Sequence, residues 1–392
     1  MPALSDVIAS EGELINWRHH LHAHPELAYD ETITADFIAA RLHEMGLDVH
    51  RGLGGTGVVG TLRSGNAGDT IGIRADIDAL PIHEANEKLG YRSRHDGKMH
   101  ACGHDGHTVM ALGAAKYLAQ TRKFRGTVHF VFQPAEEGGA GAAAMIKDGL
   151  FKLFPMSALF ALHNRPGLAR GKFGIRAGYG SSATSRFEIE VQGRDAHAAM
   201  PQQGVDGLMV GAKMVDAILM IAARTINPND MMGIAITDFR SGIGWGIIPG
   251  AASLKGAFRS YKPEVQAATE AALRRAVEGI ASAYGAQMKL TVTPGYPSLR
   301  NDKTLAAFAA ETAVEIFGAD NVDGDCPPSL ASEDFSYYCE HVKCAYGWIG
   351  NGDGPEGCTV HNAHYDFNDR ILSNGASYFA RLVERSLPAD AS

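Results

Sequence analysis

The sequence predicts an α/β fold with a mixed, mainly parallel sheet, into which a smaller ferredoxin-like α+β domain is inserted. Strand-like apolar runs alternate with segments of helical periodicity up to residue 181 and again from residue 297. Between these parts the predicted elements follow the order βαββαβ, which is the order of a ferredoxin-like sandwich. A chain of 392 residues also exceeds the usual size of one hydrophobic core. We therefore expect a discontinuous domain at 1–183 and 296–392 and an inserted domain at 184–295.

The elements of the discontinuous domain follow from periodicity and from the residues that end each segment. Pro25 ends the first helical segment, and Gly46 closes the second. Short runs rich in Val, Ile and Phe are typical of buried strands. The predicted elements are helices at 6–26, 32–45, 107–120 and 303–317 and strands at 58–62, 70–75, 127–132 and 158–162. The chain after residue 317 is a Gly-rich, polar stretch.

Ionisable side chains follow three of these strands at the point where each strand ends. They are Asp76 and Asp78 after 70–75, Glu136 and Glu137 after 127–132, and His163 after 158–162. Ligands of a mainly parallel sheet bind beyond the carboxyl ends of its strands. We therefore expect these side chains to converge at one edge of the sheet.

The densest group of ligand-type side chains is the sequence His-Ala-Cys-Gly-His-Asp-Gly-His at residues 100–107. Cys102 and His104 are two residues apart, so on an extended segment their side chains point the same way and can reach one ion. His361 is a further candidate ligand in the late sequence His-Asn-Ala-His-Tyr-Asp-Phe. These residues predict a metal site.

Four more histidines, His19, His20, His22 and His24, crowd the end of the first predicted helix. Residues at these spacings face different sides of a helix. We therefore assign them to the surface or to positions behind the ligands, and not to a metal site of their own.

The inserted domain is predicted from strands at 185–191, 231–239, 252–259 and 287–293 and from helices at 205–224 and 263–284. A sheet of this kind has an edge strand that is open to pairing. Pairing with a second copy of the chain would give a symmetric homodimer, which we expect.

The amino-acid composition of the chain excludes several classes of binding partner. A formal charge of −8 and the lack of a Lys/Arg block argue against nucleic acid. Residues 1–12 lack the regions of a signal peptide, and no apolar run reaches the length of a membrane helix. The cysteines form no disulfide framework, so reduced thiols and a cytoplasmic location are expected. They are Cys102, Cys326, Cys339, Cys344 and Cys358. A small-molecule partner is the remaining expectation.

These motifs resemble those of the metallopeptidase family of aminoacylases and carboxypeptidases, and in particular its branch of hippurate hydrolases and auxin-conjugate amidohydrolases. The resemblance runs from Arg-His-His-Leu-His-Ala-His-Pro-Glu-Leu at 18–27 to the motif at 361–367. Its most specific parts are the motif at 100–107 and Gln-Pro-Ala-Glu-Glu at 133–137. It implies a metal-dependent amidohydrolase of N-acyl amino acids, with a dinuclear metallohydrolase domain and an inserted lid that also dimerises.

The resemblance also implies roles for individual residues. The family's ligands to two divalent ions fall on Cys102, His104, Glu137, His163 and His361. Its general base falls on Glu136, and the lid histidine that steadies the oxyanion falls on His197. Arg259 of the lid suits a substrate carboxylate, because a guanidinium binds carboxylates in a fixed geometry.

The chemistry of the residues agrees with these roles. A thiolate can bridge two cations, and imidazole and carboxylate donors leave positions open for water and a carbonyl oxygen. Adjacent side chains point apart, so Glu137 can bind metal while Glu136 takes a proton from water and passes it to the leaving amine. Related branches carry His-X-Asp where this chain has Asp76 and Asp78, so we assign Asp78 to orienting a ligand. The donors suit zinc, manganese, nickel or cobalt.

One motif departs from the branch. Where the lid usually has Asn-Val-Ile-Pro, this chain has Gly-Ile-Ile-Pro at 246–249. Gly246 therefore removes a side-chain amide that is expected near the substrate. An apolar gap selects weakly and by size, so we expect a broad preference for bulkier or less polar substrates.

Two other functions compete with the amidohydrolase. A dipeptidase or carboxypeptidase could use the same metal site on a peptide bond, and only substrate profiling separates it. A non-catalytic binder on a degenerate enzyme scaffold would explain the missing lid amide. The intact Glu136 and the intact set of ligand candidates argue against the binder.

Overall fold

The computed structural model describes residues 4–65, 68–352 and 359–389, so Cys358 lies outside the described residues. The α-helices in these ranges are α1 (Ser5–Ala9), α2 (Glu11–Ala23), α3 (Thr32–Glu44), α4 (His104–Thr121), α5 (Gly141–Lys147), α6 (Leu150–Leu153), α7 (Gly207–Arg224), α8 (Pro263–Tyr284), α9 (Lys303–Phe317) and α10 (Leu372–Ser386). Within the same ranges, none of the helices has the length and apolar character needed to span a membrane.

The strands are β1 (Asp48–Leu53), β2 (Gly57–Ser64), β3 (Thr70–Asp76), β4 (Gly126–Gln133), β5 (Ala158–Pro166), β6 (Phe173–Gly174), β7 (Gly178–Tyr179), β8 (Ala183–Gln192), β9 (Ala196–His197), β10 (Met232–Ser241), β11 (Ile247–Ile248), β12 (Ala251–Ser260), β13 (Gln287–Pro294), β14 (Arg300–Asn301), β15 (Val322–Asp323) and β16 (Lys343–Gly352). A 3₁₀-helix at Asp334–Glu340 precedes β16.

The chain divides into two compact units. The first unit comprises Met1–Gly180, Arg300–Pro327 and Asp334–Ser392. The second unit comprises Ser181–Leu299 and Pro328–Glu333. The segment 328–333 thus groups with the second unit, although the sequence analysis places it in the discontinuous domain.

The first unit is built on a mixed sheet with the strand order β1-β2-β4-β3-β5-β16-β6-β15. Its centre is parallel, because β3 pairs in parallel with both β4 and β5, and β16 pairs in parallel with β5. The strands β1 and β2 continue the sheet in antiparallel register beyond β4. Central strands such as β3 and β5 are buried along most of their length, which explains their continuous apolar runs. The predicted mixed, mainly parallel sheet is confirmed.

The second unit is an antiparallel sheet with the order β10-β12-β8-β13 and two long helices, α7 and α8. Along the chain its long elements follow the predicted order βαββαβ, and this strand order is that of a ferredoxin-like sandwich. Alternate residues of β8 are buried, which places one face of this strand in the apolar core with α7 and α8. The unit has a core of its own that includes Phe187, Met214 and Leu273.

Two predictions about the first unit are wrong. The helix expected at 6–26 is two helices, since the backbone leaves helical geometry at Ser10 (φ −96°, ψ 0°) and α2 ends before Pro25. The polar stretch after residue 317 contains the buried strand β16 and the helix α10. Strand β1 was not predicted, because its residues are mostly exposed and carry no apolar alternation.

Candidate metal centre

The candidate site lies at the carboxyl ends of the parallel strands of the first unit. Asp76 ends β3, β4 leads into Glu136, and His163 lies in β5. The loop before α4 reaches the same edge, because His104 hydrogen-bonds to Asp78 just beyond β3. The structure therefore brings the ends of the strands and the motif at 100–107 together.

The metal ligands predicted from the sequence fall into three overlapping groups of candidate donors. In each group every member offers one ligand atom, and these atoms lie within 4.8 Å of one another. The groups are Cys102, Glu137 and His361; His104, Glu136 and Glu137; and Asp76, His104, His107 and His163. Because Glu137 and His104 each belong to two groups, the donors form one continuous cluster.

Gly103 allows the chain to turn between two candidate ligands. Its φ of +94° is left-handed, and a Cβ atom at this position would lie 2.4 Å from Asn164 Oδ1. Both the conformation and the space therefore require glycine between Cys102 and His104.

His104 is oriented by Asp78. The Nδ1–H of His104 donates to the Asp78 backbone carbonyl at 2.9 Å and lies 3.0 Å from Asp78 Oδ1. Because a carbonyl only accepts, Nδ1 carries a proton, and Nε2 is the nitrogen that faces the cluster. Burial opposes a positive charge here, but the negative charges of Asp76, Asp78 and Glu137 outweigh it and raise the pKa of His104 to about 10. The surroundings of His104 thus favour a cation.

Two buried polar atoms of the cluster make no hydrogen bond, although one of them, Glu137 Oε1, lies within ion-pair distance of His361 Nε2. They are His104 Nε2 and Glu137 Oε1, which lie 3.9 Å apart. Leaving a buried donor or acceptor unpaired costs about 1–3 kcal/mol. A divalent cation between an imidazole nitrogen and a carboxylate oxygen would satisfy both atoms, so these residues fit a metal ion.

Cys102 and His163 face each other across the cluster. Cys102 Sγ lies 3.5 Å from His163 Nε2, while His163 Nδ1 donates to the Asn164 carbonyl at 2.6 Å. Burial and the neighbouring His107 lower the pKa of His163, which keeps it in the neutral form that binds metals. Burial and the nearby Glu137 raise the pKa of the Cys102 thiol, so a cation is needed to favour the thiolate.

Glu137 links two sides of the cluster. Its backbone N–H donates to Asp78 Oδ2 at 2.9 Å, and its Oε1 lies 3.1 Å from His361 Nε2. His361 has a left-handed φ of +62°, and its N–H donates to the Ala101 carbonyl at 2.7 Å. Asp78 therefore contacts both His104 and Glu137, and His361 is tied to the loop that carries Cys102.

Glu136 is buried and turned to different neighbours from Glu137. Its Oε1 accepts a hydrogen bond from the Asp334 backbone N–H at 3.3 Å. The preceding Ala135 has a left-handed φ of +52°, so the chain turns sharply between the end of β4 and the two glutamates. The two adjacent carboxylates consequently have separate environments, which is necessary if Glu137 is to bind metal while Glu136 acts as the base.

Asp76 is held by other side chains. Arg74 NH1 donates to its Oδ2 at 2.7 Å, and His107 Nδ1 lies 2.6 Å from its Oδ1. His107 Nε2 in turn lies 3.0 Å from both the backbone nitrogen and the side-chain oxygen of Asn164. Asp76 and His107 therefore support the cluster from behind.

A buried ion network that the sequence analysis did not predict ties α2 to the site. Arg18 donates to Asp369 at 2.7 Å and to Asp366 at 3.1 Å. His22 lies 2.8 Å from Asp105, the neighbour of His104. Burial opposes protonation of His22, but hydrogen bonds to Asp105 and Glu84 raise its pKa to about 9. The Arg-x-x-x-His spacing on one helical face was the available signal.

The second unit carries His197, Gly246 and Arg259. His197 Nδ1 accepts the Ala199 backbone N–H at 3.0 Å, so its Nε2 carries the proton and can donate. β9 and β11 pair His197 with Ile247, and the Gly246 carbonyl accepts from Ala198 at 2.8 Å. Gly246 therefore lies beside His197. Arg259 NH1 donates to the Leu330 carbonyl at 3.1 Å.

Comparison with known proteins shows that this fold and this cluster of candidate ligands are those of a metal-dependent amidohydrolase. The family model described as peptidase family M20/M25/M40 matches residues 72–385. The chain belongs to this family. The predicted family, fold class and enzyme class are thereby confirmed.

Similar proteins cover almost the whole chain. The hippurate hydrolase of Campylobacter jejuni is 38% identical over 99% of this chain and 100% of its own length. The N-acetylcysteine deacetylase of Bacillus subtilis is 36% identical over 94% of this chain and 96% of its own length. A crystal structure of a dinuclear metal-binding peptidase of the M20 family from Bacillus subtilis superposes with a TM-score of 0.84, at 34% identity, over 97% of this chain and 99% of its own.

Proposed function

We propose that this amidohydrolase cleaves N-acyl amino acids into a carboxylic acid and an amino acid. The observation that carries the proposal is the shared Glu137, which joins Cys102 and His361 on one side to His104 on the other. Two of the similar proteins are named for the hydrolysis of hippurate and N-acetylcysteine, both of which are N-acyl amino acids.

The proposed cofactor is a pair of divalent ions per subunit. The residues that would hold them are Cys102, His104, Glu137, His163 and His361. When bound, such ions supply Lewis-acid polarisation of the substrate carbonyl and activation of water. Zinc, manganese, nickel and cobalt all suit this mixture of thiolate, imidazole and carboxylate.

Glu136 is the proposed general base. Its carboxylate takes a proton from the attacking water and passes it to the leaving amine. The separate environments of Glu136 and Glu137 support this division, because Glu136 Oε1 is engaged by the Asp334 N–H while Glu137 faces His361. Asp78 is proposed to orient His104 and Glu137, both of which it contacts.

His197 is the proposed donor to the developing oxyanion, and Arg259 the proposed partner of the substrate carboxylate. The tautomer of His197 supports its role, since the Ala199 N–H occupies Nδ1 and leaves the Nε2–H to donate. Gly246, beside His197, is proposed to widen the range of acceptable substrates.

The proposed domain roles follow the boundaries predicted from the sequence, with catalysis in 1–183 and 296–392 and a lid in 184–295. A homodimer through the lid is supported by two neighbouring apolar surfaces. Phe239 of the edge strand β10 is exposed and lies against Gly211 of α7. The exposed apolar residues of α7 are Leu208, Met209, Leu219 and Met220. The free thiols of Cys102, Cys326, Cys339 and Cys344 fit a cytoplasmic location.

The test is substrate profiling after reconstitution with each candidate metal. Release of a primary amine is measured for acetyl, benzoyl and longer N-acyl amino acids and, in parallel, for dipeptides with a free amino terminus. We expect kcat/KM to be higher for the N-acyl amino acids. Faster cleavage of free dipeptides would favour the dipeptidase or carboxypeptidase, and no cleavage of either class with bound metal would favour a binder.

A further inference from the structure

Asp334, in the late motif Ser-Glu-Asp-Phe at 332–335, has no role in the function proposed above, yet it is fully buried behind the candidate metal centre. Its two carboxylate oxygens accept from Gln133 Nε2 at 2.8 and 2.9 Å. The backbone N–H of Ala142 donates to the same carboxylate at 3.0 Å. Asp334 thus holds the end of β4 and the start of α5 in fixed positions relative to its own segment.

The charge of Asp334 is balanced by Arg74, which is 2% exposed. Arg74 NH2 lies 3.3 Å from Asp334 Oδ1, its NH1 donates to Asp76 at 2.7 Å, and its Nε donates to Gln133 Oε1 at 2.8 Å. A buried charge persists only when it is paired and hydrogen-bonded. The network therefore fixes the position of Asp334, because removing any member takes away one of the hydrogen-bond or ion-pair contacts of another buried group.

The backbone of Asp334 reaches the proposed general base. Its N–H donates to Glu136 Oε1 at 3.3 Å. Gln133, which binds the Asp334 side chain, ends β4 and lies three residues before Glu136 in the sequence. The segment that carries Glu136 is therefore held at two points by one residue, through the Asp334 side chain and through its backbone N–H.

We propose that Asp334 is a positioning residue for Glu136. Its carboxylate anchors the start of the 3₁₀-helix, so that its backbone N–H holds Glu136 Oε1 in the orientation that proton transfer needs. The inference rests on the proposed role of Glu136 as general base. A displacement of about 1 Å at a reacting group can cost on the order of 10²-fold in rate, so the anchor matters to turnover more than to substrate affinity.

The test is a double-mutant cycle on full-length, metal-loaded protein with benzoylglycine as substrate. Asp334→Asn keeps the size of the side chain but removes the charge and one acceptor. We expect kcat to fall about tenfold or more while KM stays within about twofold, since the interaction concerns proton transfer and not binding. In a Glu136→Gln background, which itself lowers kcat about 10²-fold or more, Asp334→Asn should change kcat less than twofold.

The controls separate positioning from folding and from metal loss. Metal content and the unfolding midpoint are measured for each variant, and Asp302→Asn serves as a control that removes a partly exposed carboxylate, which caps α9. If Asp334→Asn does not fold, Gln133→Asn shortens the donor to Asp334 and should show the same loss of kcat and the same dependence on Glu136.

Each outcome decides the inference. A folded, metal-loaded Asp334→Asn enzyme with parental kcat, beside an inactive Glu136→Gln enzyme, would overturn the positioning role alone. An equal loss of kcat in both backgrounds would also overturn it, because Asp334 would then act independently of Glu136. Parental activity in Glu136→Gln would remove the general-base assignment and this inference with it.

Discussion

At the scale of single residues, the surroundings of the candidate metal centre favour the protonated form of both His104 and Cys102. The protonated form is a cation for the imidazole and neutral for the thiol. Burial raises the pKa of the Cys102 thiol, and the charges of Glu137 and Asp76 raise it further; the same charges raise the pKa of His104 against the effect of burial. The imidazole is thereby favoured as a cation and the thiol as a neutral group. A divalent ion reverses both preferences, because ligands bind metal only after losing their protons. These surroundings are those of a cation site and not of an ordinary polar core.

Cys102→Ala should lower the metal content and abolish turnover, because the Cys102 sulfur, a proposed ligand, lies near both His163 and Glu137. Cys344→Ala is the matched control, since Cys344 is also a buried cysteine of the first unit but lies in β16. Elemental analysis and hydrolysis of benzoylglycine check the prediction. Full metal content with normal activity in Cys102→Ala would exclude a ligand role.

At the scale of elements, strand β4 leads into the candidate site at its carboxyl end and carries a buried histidine in its middle. Its carboxyl end leads to Gln133 and then to Glu136, while His129 in its middle is buried and lies 2.9 Å from the Thr61 hydroxyl of β2. Burial, with a smaller contribution from Arg63, lowers the pKa of His129 to about 4. Such a histidine is neutral in the folded protein and becomes protonated once the chain unfolds at mildly acidic pH.

The stability should therefore depend on pH through His129. A folded pKa below the unfolded value of about 6.5 means that its contribution is present above pH 6.5 and is lost as the pH falls towards 4. His129→Gln should flatten the fall of the unfolding free energy in this window, by up to about 3 kcal/mol in total. Denaturant unfolding of parent and variant between pH 4 and 7 checks this, with His50→Gln on the exposed strand β1 as control. Parallel pH profiles for parent and His129→Gln would show that His129 is not the group concerned.

The second prediction about a structural element concerns Gly246, which lies in the loop between β10 and β11. Gly246 has a left-handed φ of +77°, and a Cβ atom there would meet nothing within 4 Å. Asn tolerates this conformation better than other residues. Gly246→Asn should therefore fold and restore the amide, which should narrow the substrate range towards acetyl and benzoyl amino acids.

The measurement is kcat/KM across a graded series of acyl groups. Gly285→Asn is the matched control, because Gly285 of the second unit has a similar left-handed φ of +70° and open space around it. Gly246→Ala tests the effect of backbone strain without the amide. Unchanged ratios of kcat/KM in Gly246→Asn would show that this position does not affect specificity.

At the scale of the whole molecule, the two units have separate cores and separate candidate roles. The candidate metal ligands belong to the first unit, whereas His197 and Arg259, which have proposed roles in the reaction, belong to the second. The proposed reaction needs groups from both units, and a homodimer would allow one subunit to supply His197 to the other. This assembly predicts complementation between inactive variants.

His197→Ala should lower mainly kcat, since a donor aimed at a developing oxyanion contributes about 3 kcal/mol. Mixing it with Glu136→Gln subunits creates heterodimers in which one site has both residues intact. At full exchange about a quarter of the parental activity should return, because half of the dimers are mixed and each has one complete site. Activity that stays at the level of the separate variants, despite subunit exchange verified by mass spectrometry, would contradict a contribution in trans.

The sequence determined the elements whose signals are local. The helices at Pro263–Tyr284 and Lys303–Phe317 have the predicted bounds, because amphipathic periodicity and end residues are contained within each segment. The motif at 100–107 likewise indicated the position of the candidate site, but the expectation that Cys102 and His104 lie on one extended segment is wrong, because Gly103 is left-handed and His104 begins α4. The resemblance of the motifs was sufficient for the family.

Only the tertiary structure decided which distant residues support the site. Arg74 and Asp334 are separated by 260 positions in the chain, and Arg18 and Asp369 by 351. In neither pair does the sequence around one residue indicate which residue is its partner. Arg74, a charged residue within the apolar strand β3, indicated at most that it has some counterion. β16 and α10 were missed for the same reason, because their burial depends on packing against β5 and α4, which lie far away in the sequence. Contacts between distant segments depend on how the whole chain folds, and local composition does not encode that arrangement.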